Sequence, residues 1–176
     1  MSGEGEAPRV VTAGARDDLA ILNLYRDVFA EERWFITTGP EFCLDLLQMQ
    51  ARIDAHRACS SSGVWVARGA RGAVRGVLFA TGGRLQRMRH TSKVEIMVAR
   101  ASRGCGVGRA LLSHCVAWAE GSPVVEKLGL AVFADNEAAI GLYQRCGFVE
   151  EGRRVREYRM EDGSYRDDVL MYRATI

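Results

Sequence analysis

The run Arg103-Gly104-Cys105-Gly106-Val107-Gly108 lies between Val94-Glu95-Ile96-Met97-Val98, which reads as a strand, and Arg109-Ala110-Leu111-Leu112, which reads as the start of a helix. Three glycines in six residues at that junction confine the chain to a strand–turn–helix unit. The backbone N–H groups of such a turn stay free and lie at the positive end of the helix. The turn is then an anion cradle, or a tight bend whose glycines supply positive φ. A dinucleotide fingerprint requires a third glycine where this chain has Arg109 or Leu111. A nucleotide P-loop requires Lys and Ser or Thr where Gly108 is followed by Arg109 and Ala110. The spacing present is R-x-x-G-x-G.

With 176 residues, 48% of them hydrophobic and 26% charged, the chain suits one compact domain with a core of its own, and its succession of strands and helices makes it α/β. Residues 1–8 read as a polar tail and 9–176 as the domain. A net charge of +2 argues against nucleic acid as a partner. No apolar stretch approaches the roughly 20 residues that cross a bilayer, and the N-terminus lacks a signal-peptide pattern, so no membrane is expected and the cytoplasm is. Five cysteines without a C-x-x-C pair, and three scattered histidines, indicate reduced thiols and no metal site. Cys105, near a helix start, reads as a nucleophile or as a small residue tolerated in the loop.

Along the chain, Arg9–Thr12 reads as a strand, and residues Asp17 to Ala30 as a helix with Leu19, Leu22, Tyr25 and Phe29 on one face. Pro40 to Arg57 reads as a second helix with Phe42, Leu46, Met49 and Ile53 aligned and Pro40 near its start. Val64 to Ala67 and Val74 to Ala80 form a hairpin about Arg71-Gly72. Lys93 to Val98 leads through the glycine turn into a helix from Val107 to Glu120, with Leu111, Leu112, Cys115 and Ala119 facing the sheet. There follow a strand (Lys127 to Phe133), a helix (Asn136 to Cys146) and a hairpin, Phe148 to Tyr158 with Tyr165 to Tyr172. The basic stretch Arg84-Leu85-Gln86-Arg87-Met88-Arg89-His90 reads as a solvated loop or a cationic rim.

R-x-x-G-x-G resembles the pyrophosphate-binding motif of the GNAT superfamily of acyl-coenzyme A-dependent N-acetyltransferases. Leu130-Ala131-Val132-Phe133-Ala134-Asp135-Asn136, followed by Ala138-Ala139, Tyr143 and Gly147-Phe148, resembles the family's second cofactor motif. The tail, from Glu151-Gly152-Arg153 to Asp168-Val169-Leu170-Met171, is similar to the bacterial branch acting on amino acids, polyamines or protein N-termini. The likeness spans Arg9 to Tyr172. It implies the GNAT fold, a mixed, mostly antiparallel sheet with helices on both faces. It also implies acetyl-CoA as co-substrate.

What the resemblance implies can be placed on residues. Met97 and Val98 would pair through their backbones with the pantetheine arm. The N–H groups of Arg103 through Arg109, including Gly104, Gly106, Val107 and Gly108, would wrap the pyrophosphate, with the Arg103 or Arg109 side chain adding charge. Asn136 caps its helix, contacts the cofactor, or does both. Strand alternation puts Val94, Ile96 and Val98 on one face and Glu95 and Met97 on the other, so Glu95 points into a cleft if the first set packs under the helix. Glu95 is then the candidate base for the attacking amine, or else an ion-pair partner of an arginine. Tyr143 is the candidate donor to the departing thiolate, or an aromatic anchor. The oxyanion donor is the N–H of Met97 or Val98.

In Glu31-Glu32-Arg33-Trp34-Phe35, a glutamate suits an ammonium, Arg33 or Arg89 suits a carboxylate, and Trp34 and Phe35 would shape the acceptor pocket; the alternative is a surface turn. Tyr165 and Asp168 would line that pocket or a homodimer contact. The expected function is acetyl transfer to a small-molecule primary amine, an amino acid or polyamine-like compound. The alternatives are acetylation of a protein N-terminus or lysine, and a non-catalytic acyl-CoA sensor.

Overall fold

The computed structural model describes residues 8–176, with the side chain of Arg71 left aside; the expected tail falls almost wholly outside the described residues. Seven strands form one sheet in the order β1-β2-β3-β4-β5-β7-β6. They are β1 (Arg9–Thr12), β2 (Gly63–Arg68), β3 (Val74–Gly82), β4 (Thr91–Val98), β5 (Lys127–Phe133), β6 (Val149–Arg159) and β7 (Tyr165–Ala174). All pairs are antiparallel except β4 with β5. Helices α1 (Asp18–Phe29) and α2 (Leu46–Arg57) cover one face, and α3 (Val107–Glu120) with α4 (Glu137–Arg145) the other, as a mixed, mostly antiparallel GNAT-type sheet requires.

Helices α1 and α3 each bury an apolar stripe. In α3, Leu111, Leu112, Cys115 and Ala119 are buried as their spacing predicts, joined by Val107 and Val116. In α1 the buried stripe is Ile21, Leu22, Leu24, Tyr25, Val28 and Phe29, and Leu19, expected on that face, is exposed to solvent. The second helix starts later than expected. Asp45 accepts from the Gln48 N–H while the Gln48 side chain accepts from the Asp45 N–H, a capping box that opens α2 at Leu46. Pro40 belongs instead to the preceding turn, and Phe42 reaches the core from that turn, stacked on Tyr25 at 5.6 Å.

The two clusters divide the core by side-chain parity. Val94, Ile96 and Val98 pack with α3, and Met97 packs with Ile21 and Met49 beneath α1 and α2. At the far edge, β6 breaks register twice against β7, and Arg156 within it has φ 54°. A twisted, charged edge of that kind discourages a further strand from adding.

Candidate active site

The parallel pairing of β4 and β5 is short. Thr91, Ser92 and Lys93 pair with Lys127, Leu128 and Gly129, and beyond them the strands separate while β5 continues along β7 to Phe133. The backbone groups left bare follow from alternation. Gly83 N–H donates to Thr91 O at 3.0 Å and Ala99 N–H to Arg75 O at 2.9 Å, so residues 91 and 99 address the β3 side. The β3–β4 register is unbroken between them. Lys93, Glu95 and Met97 therefore also address β3, and Val94, Ile96 and Val98 address the gap. This removes Met97 from the expected pair of backbone ligands and from the expected oxyanion donors, and leaves Val98 in both. Met97 is committed to the β3 ladder, and Ile96 joins Val98 at the open edge.

The gap opens into a cavity of about 1220 Å³ that passes through the sheet. On the α3–α4 side it is lined by Val107, Gly108, Leu130, Val132, Leu142 and Tyr143, and on the other by Phe35, Glu95, Ala131, Phe133, Asp168 and Leu170.

At its α3 end lies the glycine turn. Gly104 and Gly106 have φ of 75° and 78°, the left-handed conformation only glycine adopts freely, and a Cβ built on either meets nothing within 4 Å. Their outer surface is open to a ligand. The first backbone bond into α3 is Ala110 N–H to Gly106 O, and Gly106 provides no side-chain cap. The N–H groups of residues 104–109 therefore find no acceptor among the described residues, a set of donors at a helix N-terminus that suits a diphosphate. Gly108 has another purpose, since a Cβ there would stand 2.9 Å from Leu142 Cδ2, and its absence lets α3 approach α4.

The Arg103 side chain does not turn to these donors. Its Nη1 and Nη2 donate to Glu31 at 2.6 and 2.7 Å, and its Nε to Val98 O at 3.2 Å. Arg103 and its neighbours hold the Glu31 carboxyl below the usual carboxylate range, its hydrogen bonds to Arg103 foremost. Glu31 is thus engaged and not free for an ammonium. Asn136 caps α4 by accepting from Ala139 N–H at 3.2 Å, and it also lines the cavity, as do Arg103 and Arg109. Cys105 is exposed on the loop.

Tyr143 is buried, in the cavity wall, 6.1 Å from the Phe148 ring. Burial pushes its hydroxyl up to about 12, so it stays protonated across working pH. No protein partner for that hydroxyl occurs among the described residues, which leaves it free to donate into the cavity. Glu95 is 42% exposed there, and it is also paired to an arginine, Arg52, at 3.1 Å. The carboxylate accepts from the Tyr25 hydroxyl as well. Burial, then the charge of Glu95, raises the Tyr25 hydroxyl well above its ordinary value and keeps it a donor.

Trp34 and Phe35 both line the cavity; Phe35 packs edge-on to Phe29 at 5.4 Å and Arg33 lies 4.7 Å over the Trp34 ring. Arg89 does not line it. The β3–β4 register ends at Gly82 and Ser92, which places Arg89 in an exposed turn at the closed end of the gap. Asp168 is 2% exposed at the cavity wall, 3.3 Å from the Tyr158 hydroxyl and 3.5 Å from Arg154. Burial raises its carboxyl above the ordinary range in spite of both neighbours. Tyr165 stands apart on the β6–β7 hairpin, beneath the Arg156 guanidinium at 4.1 Å. No group of three or more His, Cys, Asp or Glu side chains placed to hold a metal occurs among the described residues.

The sequence pattern of the acetyltransferase (GNAT) family matches residues 32–148, from the acceptor-side loop through the α4 motif. The chain belongs to this family. Curated relatives of this GNAT chain include the spermidine N(1)-acetyltransferase of Vibrio cholerae O1, 33% identical over 82 residues, 47% of each chain. They also include the L-amino acid N-acetyltransferase AaaT of Escherichia coli K12, 31% identical over 87 residues, 49% of this chain and 53% of the relative. The chain thus spans about half the length of the curated relatives it matches. Among solved structures, a GNAT-family acetyltransferase of Streptococcus pneumoniae superposes with a TM-score of 0.90 at 25% identity, over 95% of this chain and 99% of that one.

The sequence leads to the glycine turn, Asn136, Tyr143, Glu95, Trp34 and Phe35 in the cavity wall, but not to Ile96 there, nor to Arg52 and Tyr25 behind Glu95. The last two lie 43 and 70 positions from Glu95 and carry no local signal. Ile96 follows from strand alternation once the β3 side is fixed.

Proposed function

We propose that the protein transfers the acetyl group of acetyl-CoA to the primary amine of a small molecule, an amino acid or polyamine-like compound. The observation that carries this reading is the through-sheet gap, with the Ile96 backbone and the Val98 N–H turned to it from β4 and an N–H-rich glycine turn at its α3 end. Val98 and Ile96 are suited to pair with the amide-bearing pantetheine arm, and the N–H groups of Gly104 to Arg109 with the pyrophosphate. Acetyl-CoA supplies the activated thioester when bound. The acceptor amine enters from the α1–α2 side, past Trp34 and Phe35, between Glu95 and Asp168. Glu95 takes a proton from the amine, directly or through water, so that the nitrogen lone pair attacks the thioester carbonyl carbon. The N–H groups of Ile96 and Val98 face the gap where the oxyanion develops. Tyr143 donates its proton to the leaving thiolate, and the second proton that the acylated nitrogen sheds returns to the tyrosine through water.

Supporting an amine acceptor are the two carboxylates on the acceptor side and the names of the curated relatives, which act on spermidine and on L-amino acids. The same reading places the protein in the cytoplasm and takes it to pair as a homodimer, read out by equilibrium sedimentation; no described helix is long and apolar enough to cross a membrane. The direct test follows free thiol from acetyl-CoA over amino acids, spermidine, aminoglycosides and short peptides. Release with amino acids or polyamines supports the proposal. Release with peptides alone moves the acceptor to a protein, and tight cofactor binding with no release over the whole panel makes the chain a sensor. Glu95→Gln is expected to slow turnover at neutral pH by about 100-fold and by less at high pH, where the amine loses its own proton. An equal loss at every pH excludes a base.

A further inference from the structure

Glu95 is held from behind. Three elements converge on it, with Tyr25 from α1, Arg52 from α2 and Glu95 itself from β4. Arg52 Nη2 donates to Glu95 Oε1 at 3.1 Å, Arg52 Nη1 donates to the Tyr25 oxygen at 3.1 Å, and the Tyr25 hydroxyl donates to the same Oε1. Both protein donors therefore fall on one oxygen. Oε2 takes no hydrogen bond from a described residue, and the carboxylate lies in the cavity wall.

The two donors are themselves fixed. The Tyr25 ring is stacked on Phe42 and meets Phe29 and Phe79 edge-on, at 5.6, 5.6 and 6.2 Å. The Arg52 guanidinium lies 4.1 Å over the Phe79 ring and 5.4 Å over the Tyr25 ring, so its fork cannot swing without leaving both aromatics. His56 is the other titratable group beside the cluster. Its Nδ1 lies 2.7 Å from Arg52 O and its Nε2 2.9 Å from Thr81 Oγ1, and burial lowers its pKa, which favours the uncharged ring. A half-buried arginine held by a carboxylate and a phenol stabilises a fold little, because desolvation offsets the attraction. It does fix the orientation of the carboxylate.

We infer that Arg52 and Tyr25 are positioning residues for Glu95, occupying Oε1 so that Oε2 is presented to the acceptor amine. Unsecured, the glutamate side chain has three rotatable bonds and exchanges among rotamers in an open cleft. Secured through one oxygen, it keeps the other at a fixed point, and proton transfer depends steeply on that distance. This rests on the reading of Glu95 as the proton acceptor.

The test is a double-mutant cycle on the full chain, with acetyl-CoA and either spermidine or L-methionine as acceptor, whichever releases thiol faster. Arg52→Met is expected to lower kcat about 10-fold, leaving KM for both substrates and calorimetric acetyl-CoA affinity within about threefold of wild type. Arg52→Lys, which keeps the charge and a donor, is expected to recover most of the loss, and Tyr25→Phe to lose less than Arg52→Met. Placed on Glu95→Gln, either Arg52→Met or Tyr25→Phe is expected to cost less than about twofold more, because the group they aim no longer takes a proton. Losses that multiply in the double variants overturn the inference and leave the function intact, as does an unchanged kcat for Arg52→Met. A silent Glu95→Gln, or no transfer to any amine, overturns the underlying reading instead. Should Arg52→Met unfold, Tyr25→Phe carries the same cycle.

Discussion

Gly106→Ala separates two consequences of one glycine. The first is conformational, since φ of 78° costs an L-residue about 1–2 kcal/mol. A Cβ at this position meets no protein atom within 4 Å, so no packing penalty is added. For a chain of this length each kcal/mol moves Tm by about 2–4 °C, which predicts a fall of about 2–8 °C. The second consequence is at the ligand, because the new methyl stands on the open side of the turn where the pyrophosphate is to lie against the N–H groups. Losing two charge-assisted hydrogen bonds there, at about 1.5 kcal/mol each, predicts a Kd for acetyl-CoA about 100-fold weaker. Gly163→Ala is the matched control, with φ of 82° and nothing within 4 Å of its Cβ, in the turn between β6 and β7. It is expected to lose the same few degrees and no affinity. Differential scanning calorimetry gives the first quantity and isothermal titration calorimetry the second. Wild-type affinity in Gly106→Ala refutes the placement of the pyrophosphate. An equal loss of affinity in Gly163→Ala refutes the claim that position, and not backbone strain, is responsible.

Tyr143→Phe is expected to leave acetyl-CoA affinity within about threefold of wild type and slow turnover at least 10-fold; an unchanged rate assigns the ring to packing alone. Glu31→Gln removes the charge that engages Arg103, so acetyl-CoA binding should tighten about two- to fivefold at low salt, the difference fading as salt is raised. Because Glu31 titrates below its unfolded value, it contributes stability above the ordinary carboxylate range that is lost as pH falls through its lowered pKa. Glu31→Gln should therefore narrow the gap in Tm between pH 7 and pH 3, and an unchanged gap counts against the pair. Asp168→Asn should raise KM for a cationic acceptor about 10-fold. The raised carboxyl makes folding less favourable as pH rises through its pKa, so Tm at pH 7 should hold or increase in this variant; a marked fall shows Asp168 to be structural.

What the chain reveals on inspection and what it conceals divide along a physical line. Features set by neighbours within a few residues are legible. The stripe of Leu111, Leu112, Cys115 and Ala119, the Asn136 cap and the glycine turn all stand where their spacing puts them. Even the late start of α2 was written in Asp45-Leu46-Leu47-Gln48, a capping-box pattern more decisive than the proline five residues earlier. Features set by which strand lies beside which are not. Side-chain alternation along β4 correctly divides Val94, Ile96 and Val98 from Glu95 and Met97, but it does not say which backbone groups β3 consumes. That depends on β3 lying on one flank and a diverging β5 on the other, a fact of sheet order. Once the order is known, Gly83 N–H on Thr91 and Ala99 N–H on Arg75 settle it, and Ile96 takes the place of Met97 beside Val98 at the open edge. The Arg52–Glu95 pair is hidden for the same reason. Glu95 faces α1 and α2 by parity, but its arginine is chosen by how those helices dock across the sheet, and a carboxylate so placed has its free oxygen oriented by residues that never touch the substrate.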